Sequence, residues 1–187
     1  MTKSVFVTGG CYGTGYAVAE RFAREGYNVF ISGRDQSKAN AAAKAISEKY
    51  NVYAKGYRTE KFDQEEVYKI FSDIDINGYN IESIVLNAAN LGINQESLTV
   101  NVEDFFEVYR INVLWNFMMA REAAKQMKKI HKGSVVFITS NSALRVTENR
   151  CAYCSSKSAI LAMSKSFAVD WGKYGIRSNC VLPGMIK

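Results

Sequence analysis

A serine, a tyrosine and a lysine share the segment TSNSALRVTENRCAYCSSK, which runs from Thr139 to Lys157. Counted from Ser140, Tyr153 and Lys157 stand at offsets 13 and 17. On a helix, residues four apart share a face, so the ammonium of Lys157 can lie close to the phenol of Tyr153. A phenol titrates near ~10 in water, and a nearby cation favours the phenolate. The spacing therefore predicts a tyrosine that can act as an acid and a base.

Ser140 follows the apolar run SVVFIT, which is typical of a buried strand. Its hydroxyl can donate a hydrogen bond to the same substrate oxygen that exchanges a proton with Tyr153. This hydrogen bond would stabilise the negative charge that develops on that oxygen. Each residue alone also has a structural explanation, because a serine can cap a strand end and a tyrosine can begin a buried helix. Their occurrence together at these offsets favours the chemical reading.

Strand-like apolar runs alternate with helical segments along the whole chain. This order predicts parallel strands joined by right-handed crossovers, which is a doubly wound α/β sheet with helices on both faces. The predicted strands are 4–8, 28–32, 52–57, 83–87, 134–139 and 178–182, and the predicted helices are 16–25, 37–49, 63–74, 102–130 and 153–173.

The first strand-to-helix turn reads TGGCYGTG, from Thr8 to Gly15. Glycines allow the backbone to approach a pyrophosphate, and the free N–H groups at the start of a helix stabilise its charge. After the first strand of a doubly wound sheet, such a turn predicts nucleotide binding.

Composition limits the other readings. The chain has 187 residues, 48% of them hydrophobic, which predicts one globular domain over residues 1–187. Its net charge of +6 is spread out, and the run of lysines from Lys125 to Lys132 falls at a predicted helix end, where cations are favoured anyway. We therefore expect no nucleic-acid or membrane partner. No apolar run approaches ~20 residues and no signal peptide is recognisable, so we expect a cytoplasmic protein.

Cysteine and histidine usage argues against two other kinds of site. Cys151 and Cys154 form a CxxC pair, but no second pair or nearby histidine completes a ligand set, so no metal site is predicted. The single histidine, His131, lies in a lysine-rich turn. A Ser-His-Asp hydrolase is therefore disfavoured, because that chemistry needs an imidazole.

The pattern Thr-Gly-x-x-x-Gly-x-Gly resembles the glycine motif of the short-chain dehydrogenase/reductase superfamily, and the resemblance extends over the whole chain. LNAAN is similar to the family's Asn-Asn-Ala-Gly segment, and RINVLW to the segment that carries its helix asparagine. The serine, tyrosine and lysine match the family's catalytic residues, and GIRSNCVLPGMIK resembles its sixth strand and following Pro-Gly turn.

The resemblance implies a hydride-transferring oxidoreductase in which Tyr153 is the acid/base, Ser140 and Asn112 assist, and Lys157 also binds the nicotinamide ribose. Asn112 would hold a water in a proton relay. Glu60 matches the position of an adenine-binding aspartate, and Asp63 resembles a helix N-cap in a box closed by Glu66. The implied cofactor-binding residues are Thr8, Gly9, Gly13, Thr14, Gly15, Arg34, Glu60, Asn87, Ala88, Tyr153, Lys157, Pro183 and Gly184.

The resemblance also implies assembly and a longer chain. Family members pair their long helices into homodimers or homotetramers, and the helix near Asn112 and the helix after Tyr153 are rich in apolar residues. Relatives continue beyond the Pro-Gly turn with a substrate loop, further helices and a seventh strand, whereas this sequence stops at Lys187, so either the sequence is incomplete or the protein is a truncated one.

The end of the second predicted strand indicates the cofactor. An acidic residue there accepts hydrogen bonds from the free ribose hydroxyls of NAD, whereas a basic one meets the 2′-phosphate of NADP. The segment reads VFISGRD, with Gly33 at the acidic position and Arg34 next to it. Asp35 is expected to cap the following helix. We therefore expect NADP(H), with NAD(H) as a second possibility.

The sequence thus predicts an NADP-dependent carbonyl reductase or alcohol dehydrogenase acting on a small molecule, without identifying the substrate. Two alternatives stay open. One is a catalytically limited NADP(H)-binding protein or sensor, although such a protein need not keep the proton-transfer groups. The other is the sugar-nucleotide epimerase or dehydratase branch, which shares Tyr-x-x-x-Lys but usually spaces its glycines differently.

Overall fold

The computed structural model describes residues 3–186, and its centre is a sheet of six parallel strands in the order β3-β2-β1-β4-β5-β6. The strands are β1 Ser4–Val7, β2 Asn28–Gly33, β3 Ala54–Arg58, β4 Ile81–Leu86, β5 Gly133–Ile138 and β6 Ile176–Val181. All neighbouring strands pair in parallel, in agreement with the doubly wound fold predicted from the alternating runs. The strand order changes direction at β1, which lies between β2 and β4.

Helices cover both faces of this sheet. They are α1 Gly13–Arg24, α2 Gln36–Tyr50, α3 Gln64–Ile76, α4 Val102–Tyr109, α5 Asn116–Lys129 and α6 Cys151–Trp171. Alternation along β1 shows the reason for two layers: Val5 and Val7 pack with α1 and α2, while Phe6 joins the cluster of α3, α5 and α6. Because both of its faces are buried, β1 is fully buried and almost entirely apolar, with the sequence SVFV.

The segment predicted as one helix over residues 102–130 is helical, but it is not α-helical throughout. A π-helical segment, Arg110–Trp115, separates α4 from α5 without breaking the rod. Such one-turn widenings of a helix occur often at functional sites. Elsewhere the element ends move by a few residues, and β4 begins at Ile81 instead of residue 83.

No helix among residues 3–186 has both the length and the apolar character needed to cross a bilayer. The parallel sheet brings the carboxyl ends of all six strands to one edge, and the loops at that edge carry the predicted site residues.

Candidate active site

The glycine-rich turn after β1 has the backbone shape that its sequence predicts. Gly9 and Gly13 have φ values of +64° and +56°, in the region where side chains are strained. A Cβ atom added to Gly15 would run into the carbonyl oxygen of Gly9, so the turn closes tightly on the first residues of α1. At Gly13, by contrast, a Cβ would meet no atom of residues 3–186 within 4 Å apart from its chain neighbours and the backbone of its own helix, which leaves open space beside the helix N-terminus.

Thr8 and Asn87 tie this turn to the end of β4. The buried Thr8 hydroxyl accepts hydrogen bonds from the backbone N–H groups of Asn87 at 2.9 Å and Ala88 at 3.0 Å. In return, Asn87 Nδ2 donates to the carbonyl oxygens of Thr8 at 3.1 Å and Gly9 at 3.3 Å. Asn87 therefore positions the glycine turn, and its predicted contact with a cofactor stays a prediction.

The end of β2 presents Arg34, and the Asp35 carboxylate beside it is engaged by the start of α2. Asp35 Oδ1 accepts from the backbone N–H groups of Ser37 at 2.8 Å and Lys38 at 3.1 Å, and from the Ser37 hydroxyl at 2.6 Å. The predicted N-cap is thus confirmed, and these hydrogen bonds lower the pKa of Asp35. Arg34 is exposed and forms no ion pair with residues 3–186. Its guanidinium is free to meet an anion.

Glu60 lies after β3 at the predicted adenine-binding position, but its carboxylate contacts Arg58, with 2.7 Å between Glu60 Oε2 and an Arg58 guanidinium nitrogen. Asp63 caps α3 by accepting from the Glu66 N–H at 2.8 Å, as expected. The return half of the box differs, because the Glu66 carboxylate accepts from the N–H groups of residues 60–62. This carboxylate therefore holds the loop that carries Glu60.

Tyr153 and Lys157 share one face of the first two turns of α6. Lys157 Nζ lies 5.7 Å from the centre of the Tyr153 ring, and the Arg150 guanidinium lies 4.9 Å from it. Ser140 lies two residues after the end of β5, and its Oγ accepts from the Ser142 N–H at 3.1 Å, which caps a short 3-10 turn. The hydroxyl is half-buried at the carboxyl edge of the sheet, on the side where α6 begins.

Lys157 is almost completely buried, with 2% of its surface exposed. Its ammonium donates to the carbonyl oxygen of Ile138 at 3.0 Å, and the Thr139 hydroxyl donates to the Lys157 carbonyl oxygen at 2.9 Å. Burial lowers the pKa of Lys157 to about 8, because desolvation disfavours the charged form. The end of β5 and the first turns of α6 are thus held together at the predicted catalytic residues.

These motifs agree with a comparison to known families: a model described as short chain dehydrogenase matches residues 3–187. The chain belongs to the short-chain dehydrogenase family. Among curated relatives, 3-oxoacyl-(acyl-carrier-protein) reductase FabG of Rickettsia bellii is 30% identical, over 99% of this chain and 73% of its own. The 7alpha-hydroxysteroid dehydrogenase of Clostridium sardiniense is also 30% identical, over 98% and 71% of the two chains.

Solved structures give the same answer. An NAD+-bound xylitol dehydrogenase superposes with a TM-score of 0.91 at 29% identity, covering 97% of this chain and 70% of its own. A short chain dehydrogenase of Salmonella enterica serovar Typhi reaches a TM-score of 0.91 at 25% identity, covering 98% and 76%. The family membership and the fold inferred from the motifs are therefore confirmed.

In this short-chain dehydrogenase, Asn112 lies in the π-helical segment and is fully buried. Its Oδ1 accepts from the Asn90 N–H at 2.7 Å, and its Nδ2 donates to the Asn90 carbonyl oxygen at 2.9 Å and to Ser156 Oγ at 3.0 Å. Its own carbonyl oxygen accepts from Asn116 Nδ2 at 2.7 Å. The side chain thus anchors the loop after β4 to α6, and the predicted water relay stays a prediction.

The Pro-Gly turn lies against the same site. The Pro183 carbonyl oxygen accepts from the Asn141 N–H at 3.0 Å, which places the segment after β6 beside the turn that follows Ser140. Gly184 is exposed, and a Cβ there would be 3.8 Å from Asn141 Nδ2. The fold therefore brings the predicted Pro-Gly turn next to the residue that follows Ser140, whose catalytic role stays a prediction.

Sequence reasoning missed several residues that hold the site. Ser156 bridges two elements, since its hydroxyl donates to the Tyr153 carbonyl oxygen at 2.7 Å and accepts from Asn112. Thr139 and Ile138 act on Lys157 through the contacts described above. No spacing rule identifies them, because their partners lie 18, 19 and 44 positions away in the chain.

Proposed function

We propose that this short-chain dehydrogenase is an NADP(H)-dependent oxidoreductase that interconverts a ketone or aldehyde and an alcohol. The observation that carries the proposal is the placement of Tyr153 beside the buried ammonium of Lys157, with Nζ 5.7 Å from the ring centre. The same ammonium donates to the carbonyl oxygen of Ile138, two residues before Ser140. An isolated serine, tyrosine or lysine would not require this arrangement.

The glycine turn fits a dinucleotide. The open space at Gly13, the positive φ of Gly9 and the N-terminus of α1 leave room and donors for a pyrophosphate. Thr8, Gly9, Gly13, Thr14 and Gly15 would hold the phosphates, with Asn87 and Ala88 flanking the turn and the Pro183–Gly184 segment near the nicotinamide end. When bound, the nicotinamide supplies or accepts the hydride.

The chain's own residues move the proton. In reduction, Tyr153 donates its proton to the carbonyl oxygen of the substrate, and in oxidation it takes the proton from the alcohol. Ser140 donates a hydrogen bond to the same oxygen and stabilises its developing negative charge. Because the pKa of Lys157 is about 8, its ammonium is mostly charged at pH 7, beside the ring of Tyr153.

The NADP preference is supported by the end of β2. Arg34 is exposed without an ion-pair partner among the described residues, and the carboxylate of Asp35 is engaged at the helix N-cap. Gly33 presents no side chain to repel a phosphate. A guanidinium suits a phosphate dianion because it offers paired donors in one plane. Glu60 would accept a hydrogen bond from the adenine amine in addition to its contact with Arg58, since a carboxylate can accept several hydrogen bonds.

Three further properties belong to the proposal. Residues 1–187 would form one cofactor-binding domain, located in the cytoplasm. The enzyme would be a homodimer or homotetramer, because Phe106, Leu114 and Val169 leave 62%, 48% and 81% of their surfaces exposed on the helices that cover one sheet face. Apolar side chains exposed in this way are typical of a covered interface.

The test is turnover of a panel containing a 3-oxoacyl thioester, a hydroxysteroid and a polyol, with the absorbance of NADPH or NADH as the readout. We expect Tyr153→Phe to abolish turnover while the dissociation constant of NADPH stays within about threefold, since the change removes only the proton donor. Tyr174→Phe, in the turn after α6, is the matched control. Turnover by Tyr153→Phe within about threefold of the parent would refute the acid/base role, and cofactor binding without turnover in the parent would favour the sensor.

A further inference from the structure

Cys11 and Gly33 meet at the point where β1 and β2 end. Cys11 belongs to the glycine-rich turn after β1, and its Sγ lies 3.6 Å from the carbonyl oxygen of Ser32 as a hydrogen-bond donor. A Cβ atom added to Gly33 would fall well inside van der Waals contact with Cys11 Sγ. Apart from the chain neighbours of Gly33, the one other atom of the described residues within 4 Å of that position is Cys11 Cβ.

The obstacle at position 33 is therefore a single sulfur atom. Without it, the nearest remaining atom would be Cys11 Cβ, 3.6 Å from the added Cβ, which is an ordinary contact distance. Position 33 is the place where an acidic residue would accept hydrogen bonds from the ribose hydroxyls of a cofactor without a 2′-phosphate.

We infer that Cys11 is a specificity-determining residue of the cofactor site. Its sulfur fills the space that an acidic side chain at position 33 would need, and so keeps the end of β2 free for a 2′-phosphate next to Arg34. The inference rests on the proposed preference for NADP(H) and adds a residue that the glycine motif itself leaves variable.

The charge of the thiol fits this role. Burial raises the pKa of Cys11, and the negative charge of Asp35 raises it further. The group above Gly33 is therefore a neutral thiol at pH 7 and does not repel a phosphate. Asp35 is close enough to act on the thiol, yet its carboxylate is held by Ser37 and Lys38 at the start of α2.

The test is a double-mutant cycle with Gly33→Asp, Cys11→Ala and the two combined. Dissociation constants for NADH and NADPH are measured by cofactor fluorescence, and thermal unfolding is followed in the same four proteins. We expect Gly33→Asp alone to lower the unfolding temperature and to bind both cofactors weakly. The double variant should regain the lost stability and bind NADH about tenfold more tightly than Gly33→Asp alone, because the carboxylate can then reach the ribose hydroxyls.

The matched control is Cys11→Ser combined with Gly33→Asp. Serine keeps an atom at the γ position, so this pair should bind NADH within about threefold of Gly33→Asp alone. If serine rescues as well as alanine does, the steric role of the γ atom is wrong.

A second cycle isolates the contact if the aspartate variant does not fold. Gly33→Ala adds only the Cβ, and it should destabilise the parent more than it destabilises the Cys11→Ala protein. If the changes in unfolding temperature caused by Gly33→Ala and Cys11→Ala simply add, the inference is overturned. It is also overturned if they do not add but removing the sulfur brings no gain in NADH affinity in the Gly33→Asp protein. A parent that binds NADH more tightly than NADPH would instead refute the proposed cofactor preference, while the unfolding cycle would still report whether the contact exists.

Discussion

The buried ammonium of Lys157 should make the stability of this protein depend on pH in a specific way, and Lys157→Met exposes that dependence. The side chain is 2% exposed, and burial lowers its pKa from the ordinary 10.5 to about 8. Methionine has a similar length and no charge to desolvate, so the variant should fold. Its catalytic activity and its affinity for the cofactor should both fall, because one ammonium serves both.

The direction of this pH dependence follows from the number of protons that the folded and unfolded chains bind. Below pH 8 the folded and unfolded chains both hold the proton, so the contribution of Lys157 to the unfolding free energy does not change with pH. Between pH 8 and 10.5 the unfolded chain keeps a proton that the folded protein has lost, and the unfolding free energy therefore rises with pH. At about 1.36 kcal/mol per pH unit, the interval from about 8 to 10.5 corresponds to about 3 kcal/mol.

The assay is urea unfolding of the parent and Lys157→Met at several values between pH 7 and 10.5. The parent should gain about 3 kcal/mol relative to the variant across this range, with no relative change below pH 8. Taking the difference cancels the titration of groups that do not interact with Lys157 and the constant loss of the hydrogen bond to Ile138. Lys165→Met removes an exposed lysine of the same helix and is the matched control. A parent-minus-variant difference that stays flat to pH 10.5 would refute the role of burial.

The remaining predictions concern the cofactor cradle and assembly. Arg34→Ala should weaken NADPH binding tenfold to about a hundredfold and leave NADH nearly unchanged, as measured by fluorescence titration with Arg24→Ala as the control; equal losses for both cofactors would count against phosphate binding. Gly13→Ala should lower the free energy of unfolding by about 1–2 kcal/mol, because alanine is strained at the positive φ of this residue. Gly15→Ala should lower it further in urea unfolding, because the new Cβ would run into the backbone of Gly9. Light scattering should show a dimer or tetramer at micromolar concentration, and Phe106→Glu should shift it toward the monomer; a monomeric parent would contradict the proposed interface.

Local sequence rules were enough for the parts of the site that depend on neighbours in the chain. Tyr153 and Lys157 share a helix face because residues four apart do so on any α-helix. Asp35 caps α2 because its carboxylate reaches the N–H groups of the next two or three residues. The glycine pattern predicted the turn for the same reason, since positive φ is a property of single residues.

The fold class was also determined by the sequence, because alternating apolar strands and amphipathic helices leave a doubly wound parallel sheet as the arrangement that buries them. The sequence did not determine which side chains form hydrogen bonds or ion pairs within that fold. The carboxylate of Glu60 forms an ion pair with Arg58, and the side-chain amide of Asn112 forms hydrogen bonds with Asn90 and Ser156.

Only the tertiary structure decided which atoms compete for the same space. The contact of Cys11 with Gly33 joins residues 22 positions apart, and the depth at which Lys157 is buried depends on β5 packing against α6. Both are consequences of strands that meet at one sheet edge after long crossovers, and no pattern in a single segment contains them. The sequence by itself determined the fold class and the protein family. The packed structure decided how deeply Lys157 is buried and how much space Cys11 leaves at Gly33, next to Arg34.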